Sequence, residues 1–146
     1  MWPLIRSILA VLAGIVVLTI VSFGIEAVAG PLMMRMSPTA LPDAAALSAN
    51  SPARLVMLAY TLFSIGVAGY FTAWIAGRAR ILHAAIMGAV EVALTAYVMI
   101  AAPFPEVHPA PRWWWIAGII LMVPAAILGA AIRQKQSARL TPSAVS

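Results

Sequence analysis

Four long apolar stretches, separated by proline, glycine and arginine clusters, decide what this chain can fold into. They cover about residues 3–29, 52–77, 81–102 and 112–132. A helix needs about 20 apolar residues, rising about 1.5 Å each, to cross about 30 Å of hydrocarbon. Each stretch meets that requirement. Inside hydrocarbon no water satisfies a stray N–H or C=O, so a spanning segment of this length is expected to be helical. The sequence therefore predicts an all-α, integral membrane four-helix bundle in a single domain over residues 1–146. Composition agrees. Hydrophobic residues make up 64% of the chain and charged residues 9%, whereas a soluble domain is about half apolar and about a quarter charged.

The breaks between the stretches predict the connections. Pro3 suits the first turn of helix one, and Gly30-Pro31 is expected to stop it. An outer loop follows over residues 30–51, with Pro31, Pro38 and Pro42. Within it, Pro42 to Leu47 has the composition of a short interfacial helix. Ser51 is expected to cap helix two, with Pro52 at its first position. Arg78-Ala79-Arg80 is so short a link that helices two and three must be antiparallel neighbours. The outer loop over 103–111 carries four prolines, Pro103, Pro105, Pro109 and Pro111, which rule out a continuous helix. A cytoplasmic tail covers residues 133–146, and its polar part from Gln134 to Ser146 is expected to be disordered.

Charge sets the orientation. Arg6, Arg78, Arg80, Arg133, Lys135 and Arg139 fall on one side, and Arg35, Arg54 and Arg112 on the other. Cytoplasmic segments collect Lys and Arg, so both termini are expected in the cytoplasm. Trp113, Trp114 and Trp115 are read as anchors at the outer interface, with Trp2 and Trp74 near the inner one. The net charge of +5 does not point to nucleic acid, because the basic residues are scattered and form no face. Arg6, an apolar run and Ala27-Val28-Ala29 have the order of a secretory leader. The run from Ile8 to Ile25 exceeds the usual 7–15 residues and Glu26 interrupts it, so a retained helix is expected.

Lipid is as apolar as leucine, so membrane helices associate through close backbone approach. Gly69, Ala73 and Gly77 recur every four residues in helix two. Helix three offers Ala84-Gly88 and Ala85-Ala89-Ala93, and helix four Ala125-Gly129 and Ala126-Ala130. These spacings predict a tightly packed hairpin of helices two and three. The bilayer is one expected partner, and a second copy or another membrane subunit is the other.

Glu91 is the residue that packing alone does not explain. It lies about ten residues from either end of its run, near the bilayer midplane, where a charge is costly. Thr95, Gly88 and Met87 share its face. A structural reading has the carboxyl donate a hydrogen bond. Pro124 lacks an N–H, which frees the carbonyl of Ile120 as an acceptor. Thr19, Thr61 and Ser64 are alternatives. A transport reading makes Glu91 a proton or cation carrier, fed by His83 eight residues away, about 12 Å along the axis. Glu26 is expected to pair with Arg35 or Arg54. Asp43, Glu106 and His108 lack the spacing of a metal site.

No enzyme motif is present: no G-x-S-x-G, no H-E-x-x-H and no P-loop. The chain has no cysteine, and its one lysine, Lys135, lies in the tail. The two histidines fall on opposite sides of the predicted membrane, which argues against a haem held between them. No cofactor or metal is expected, and the favoured function is a non-enzymatic helix-packing or accessory subunit. The alternative is a small proton- or ion-coupled transporter.

Gly69 to Arg78, followed by His83 to Ala89, resembles a hairpin of small uncharacterised bacterial four-helix integral membrane proteins. The resemblance covers that one hairpin. It implies a bacterial inner-membrane setting and transfers no activity. Small multidrug-resistance transporters also have four helices and a glutamate in helix one. Glu26 lies near a helix end rather than its middle, and the chain is longer, so that pattern is not matched.

Overall fold

A computed structural model describes residues 2–37, 39, 41–101 and 111–140. The elements are α1 (Trp2–Met36), α2 (Ala44–Ala49), α3 (Ser51–Ala76), α4 (Arg80–Ala101) and α5 (Arg112–Leu140). There is no strand among the described residues. The four long helices, α1, α3, α4 and α5, are each long and apolar enough to cross a membrane. The outer loop over 103–111, apart from Pro111, lies outside the described residues.

The first correction concerns the end of α1. Gly30-Pro31 does not stop it: the helix runs on to Met36 with Pro31 inside. Proline removes one N–H and crowds one carbonyl, a local cost that packing can outweigh. Here Met33 and Met34 pack on a cluster of Leu41, Leu47, Ala53 and Met57, and the Leu47 side chain lies against Gly30. The short helix forecast in this loop is α2. Asp43 caps it, its Oδ1 accepting from the Ala46 N–H at 2.8 Å. Asn50 then closes α2 and opens α3, its Oδ1 accepting from the Ala53 N–H at 3.0 Å. The cap of α3 is thus Asn50 rather than Ser51, which is already helical.

The α3–α4 connection is a tight turn. Gly77, at φ +71°, caps α3 by donating its N–H to the Ala73 carbonyl at 3.4 Å. Gly77 is also the third member of the four-residue stripe Gly69, Ala73 and Gly77. Its backbone conformation and its neighbour set a different requirement, since a Cβ there would lie 2.5 Å from Nη2 of Arg6. Arg6 Nε donates to the Ile75 carbonyl at 2.8 Å, and Arg80 Nε to the Gly77 carbonyl at 3.1 Å. The start of α1, this turn and the end of α5 therefore share one end of the bundle, called here the turn end. The opposite end, with α2, is the loop end.

The tail expected to be disordered is helical to Leu140, and residues 141–146 lie outside the described residues. Residues 133–140 contain no proline or glycine, and α3 holds them in place. The Tyr70 hydroxyl donates to Gln136 Oε1 at 2.7 Å, and the Arg133 guanidinium lies 5.9 Å from the Tyr70 ring centre.

Packing also departs from the expectation. The closest backbone approach is between α3 and α5, not within the α3–α4 hairpin. A Cβ at Gly69 would overlap the Ala126 carbonyl, and one at Gly129 would overlap the Gly66 carbonyl. Gly88 of α4 also faces α5, where a Cβ would lie 3.1 Å from the Val123 Cα. Ala73 is buried where it meets Ala84 and Ala130. The small residues of α3 and α4 thus converge on α5, which presents two small-residue rows of its own. Adjacency in sequence does not decide which helices approach most closely. Leu18, Ile65, Ala68, Met87, Met122 and Ala126 form the central core. The outer surface is apolar: Ile20 is 67% exposed, Phe23 69% and Leu128 65%.

Candidate functional site

A cavity of about 290 Å³, lined by all four long helices and open beside the exposed Thr19 and Phe23, contains Glu91. Its polar wall is Thr19 and Ser22 from α1, Thr61 from α3 and Glu91 with Thr95 from α4. Trp114, Trp115 and Phe23 line it as aromatic surface. Glu91 and Thr95 share the wall because a four-residue step returns to the same helix face.

The Glu91 carboxyl has no hydrogen-bond partner among the described residues. The expected bond to the Ile120 carbonyl is not formed. Pro124 lines a separate groove between α3 and α5, and Ile120 is 64% exposed on the outside of α5. Both lie on other faces of α5 than Gly118 and Met122, which face Glu91. The hydroxyl candidates are turned to their own helices. Thr19 donates to the Ile15 carbonyl at 2.9 Å, Thr61 to Met57 and Ser64 to Tyr60, each at 2.8 Å. Their hydrogens are committed, though each oxygen keeps acceptor capacity, and Thr19 and Thr61 line the cavity. Thr95 points its hydroxyl at the Met122 sulfur, 3.7 Å away, a weak acceptor.

The loop end of the cavity is formed by Trp114, and there a charge is held close by. Arg54 is 7% exposed, and its guanidinium carbon lies 5.1 Å from the Trp114 ring centre. Glu26 is near enough to act on Arg54 through its charge. Trp114 and Trp115 meet edge to face at 5.0 Å. The Trp114 indole N–H is buried without a partner.

The tryptophan triplet divides its roles. Consecutive helical residues point about 100° apart, so three in a row cannot all face lipid. Trp113 and Trp74 face outward, as anchors require, with Trp74 54% exposed. Trp114 and Trp115 turn inward to the cavity instead. His83 is not brought to Glu91. It lies at the turn end, its Nδ1 donating to the Ala79 carbonyl at 3.0 Å, and it takes no part in the cavity wall. Asp43 is occupied as a helix cap, while Glu106 and His108 lie outside the described residues. No cluster of metal-ligating side chains occurs among the described residues.

Ser22 was not singled out from the sequence. Its three-residue spacing from Thr19 on an otherwise apolar helix is the signal that would have found it. Compared with protein-family models, curated proteins and solved structures, the chain matches none.

Proposed function

We propose that this chain is a multi-pass integral membrane protein of the bacterial inner membrane, with the turn end in the cytoplasm. Four apolar helices and an apolar outer surface support insertion. Six basic residues at or beyond the turn end, against Arg35, Arg54 and Arg112 elsewhere, support the orientation. The protein is non-enzymatic, and its bundle binds a proton or small cation at Glu91, as a small ion-coupled transporter does. The observation that carries this reading is the unpartnered Glu91 carboxyl in a cavity lined by hydroxyl residues from three helices. A carboxyl with no protein partner at that depth is costly, and a bound cation or proton offsets the cost. Hydroxyl oxygens are hard ligands suited to sodium, potassium or a hydrated proton.

The test is flux in proteoliposomes loaded with a pH-sensitive dye, under imposed proton, sodium and potassium gradients. Wild type is expected to dissipate at least one gradient faster than protein-free vesicles, and Glu91→Gln to return to the vesicle rate. Equal rates for wild type and Glu91→Gln would overturn the ion-binding role.

A second reading, an accessory subunit or homo-oligomer, has its own support. Ala89 and Ala93 of α4 are exposed at four-residue spacing, a face on which another helix can approach closely. Native mass spectrometry of gently extracted protein separates the readings, since a stoichiometric foreign subunit would favour the accessory role.

A further inference from the structure

We infer that the outer groove between α3 and α5 holds one acyl chain of an anionic phospholipid, with its phosphate at Arg133. This rests on the membrane reading above but not on the role of Glu91. The groove has a volume of about 540 Å³ and runs between Phe63 and Tyr70 on one side and Leu121 and Ile132 on the other. Its floor is low because Gly66 and Gly129 carry no side chain where the two helices touch. Leu121 to Ile132 spans about 16 Å at about 1.5 Å per residue. One leaflet of hydrocarbon is about 15 Å, half of about 30 Å. The groove therefore has the length of one lipid tail.

Its polar end supplies the headgroup contact. Arg133 follows Ile132 directly, and its guanidinium is held over the Tyr70 ring. Its Nε–H is buried and has no hydrogen-bond partner. Residues 112–140 of α5 contain no acid, nor do residues 1–25 or 51–90, so no carboxylate of these described segments pairs with it. Arg6, Arg78, Arg80, Lys135 and Arg139 add positive charge at the same end. Lipid phosphate is an anion present at that depth, and Arg133 is the cation that follows the end of the groove. A second copy is a poorer occupant. It would insert with the same orientation and bring the same cations to the same end.

The experiment uses full-length protein in nanodiscs of equal phosphatidylglycerol and phosphatidylcholine, followed by stepwise delipidation and native mass spectrometry. Wild type is expected to retain one phosphatidylglycerol in preference to phosphatidylcholine. Arg133→Gln should cut that preference about fivefold, the factor one cation near a headgroup contributes. Leu128→Trp fills the groove from its exposed side and should remove the retained lipid of either kind, with helix content by circular dichroism unchanged. Retention by both variants equal to wild type would overturn the inference, as would a dimer mass in place of the bound lipid. Release of the protein from membranes by carbonate would overturn both this inference and the membrane reading. Integration without selective retention would overturn this inference alone.

Discussion

Replacing Gly129 by alanine tests the α3–α5 seam directly. The added methyl would lie 2.8 Å from the Gly66 carbonyl carbon and 2.9 Å from the Tyr70 amide nitrogen. Unstrained contacts between heavy atoms are about 3.5–4.0 Å. Because the methyl would also overlap the Gly66 carbonyl oxygen, the helices must part by more than about 1 Å, and a gap of about 1 Å already forfeits a quarter to a half of each contact's dispersion energy. Overpacking of this kind costs about 1–3 kcal/mol. Alanine also returns about 0.5–1 kcal/mol of helix propensity relative to glycine. Gly24→Ala isolates that second effect, because nothing lies within 4 Å of a Cβ there. The propensity contribution is common to both variants and cancels in their difference. Gly24→Ala should be stabilising, and Gly129→Ala should fall below it by about 1–3 kcal/mol. The assay is reversible unfolding in mixed micelles, followed by far-ultraviolet circular dichroism. Equal stability of the two variants would refute the close α3–α5 approach.

Three further outcomes follow from particular contacts. Asn50→Ala should cost about 1 kcal/mol through loss of the α3 cap, while Ser51→Ala should stay within about 0.5 kcal/mol, in the same unfolding assay. Tyr70→Phe and Gln136→Ala should show a coupling of about 0.5–1.5 kcal/mol in a double-mutant cycle, and simple additivity would contradict the hydrogen bond between them. Backbone amides of residues 134–139 should exchange slowly with deuterium. Exchange at the rate of an unstructured tail would contradict the extended α5.

The long helices were legible because hydropathy over 20 residues is a strong signal and lipid exposure leaves it undiluted. Their ends were less so. Gly30-Pro31 is a helix breaker by local rules, yet Met33 and Met34 gain contacts by staying helical. The tail from Gln134 reads as polar and unstructured until Tyr70, more than sixty residues earlier, offers it a partner. Small residues announced close packing, but periodicity names a face and not the helix opposite. Gly69 and Gly88 therefore proved to serve α5. At the candidate site, Glu91 and Thr95 were visible as polar residues on one face of an apolar helix. The cavity was not, because Thr19, Ser22, Thr61, Trp114 and Trp115 come from three other helices. Trp114 and Trp115 were hidden further by the habit of reading tryptophan near a helix end as an anchor.

The central claim is that Glu91 is kept for binding rather than for holding the fold. Thermal stability of Glu91→Leu in detergent tests it most directly, without any need to identify the ion. Leucine has a similar volume, removes a carboxyl that has no protein partner, and needs none itself. Such a substitution at a binding site is expected to leave stability unchanged or raise it. The account predicts a Glu91→Leu midpoint equal to or above that of wild type. A midpoint lowered by the equivalent of about 1 kcal/mol or more would show that the carboxyl supports the bundle, and would contradict the account.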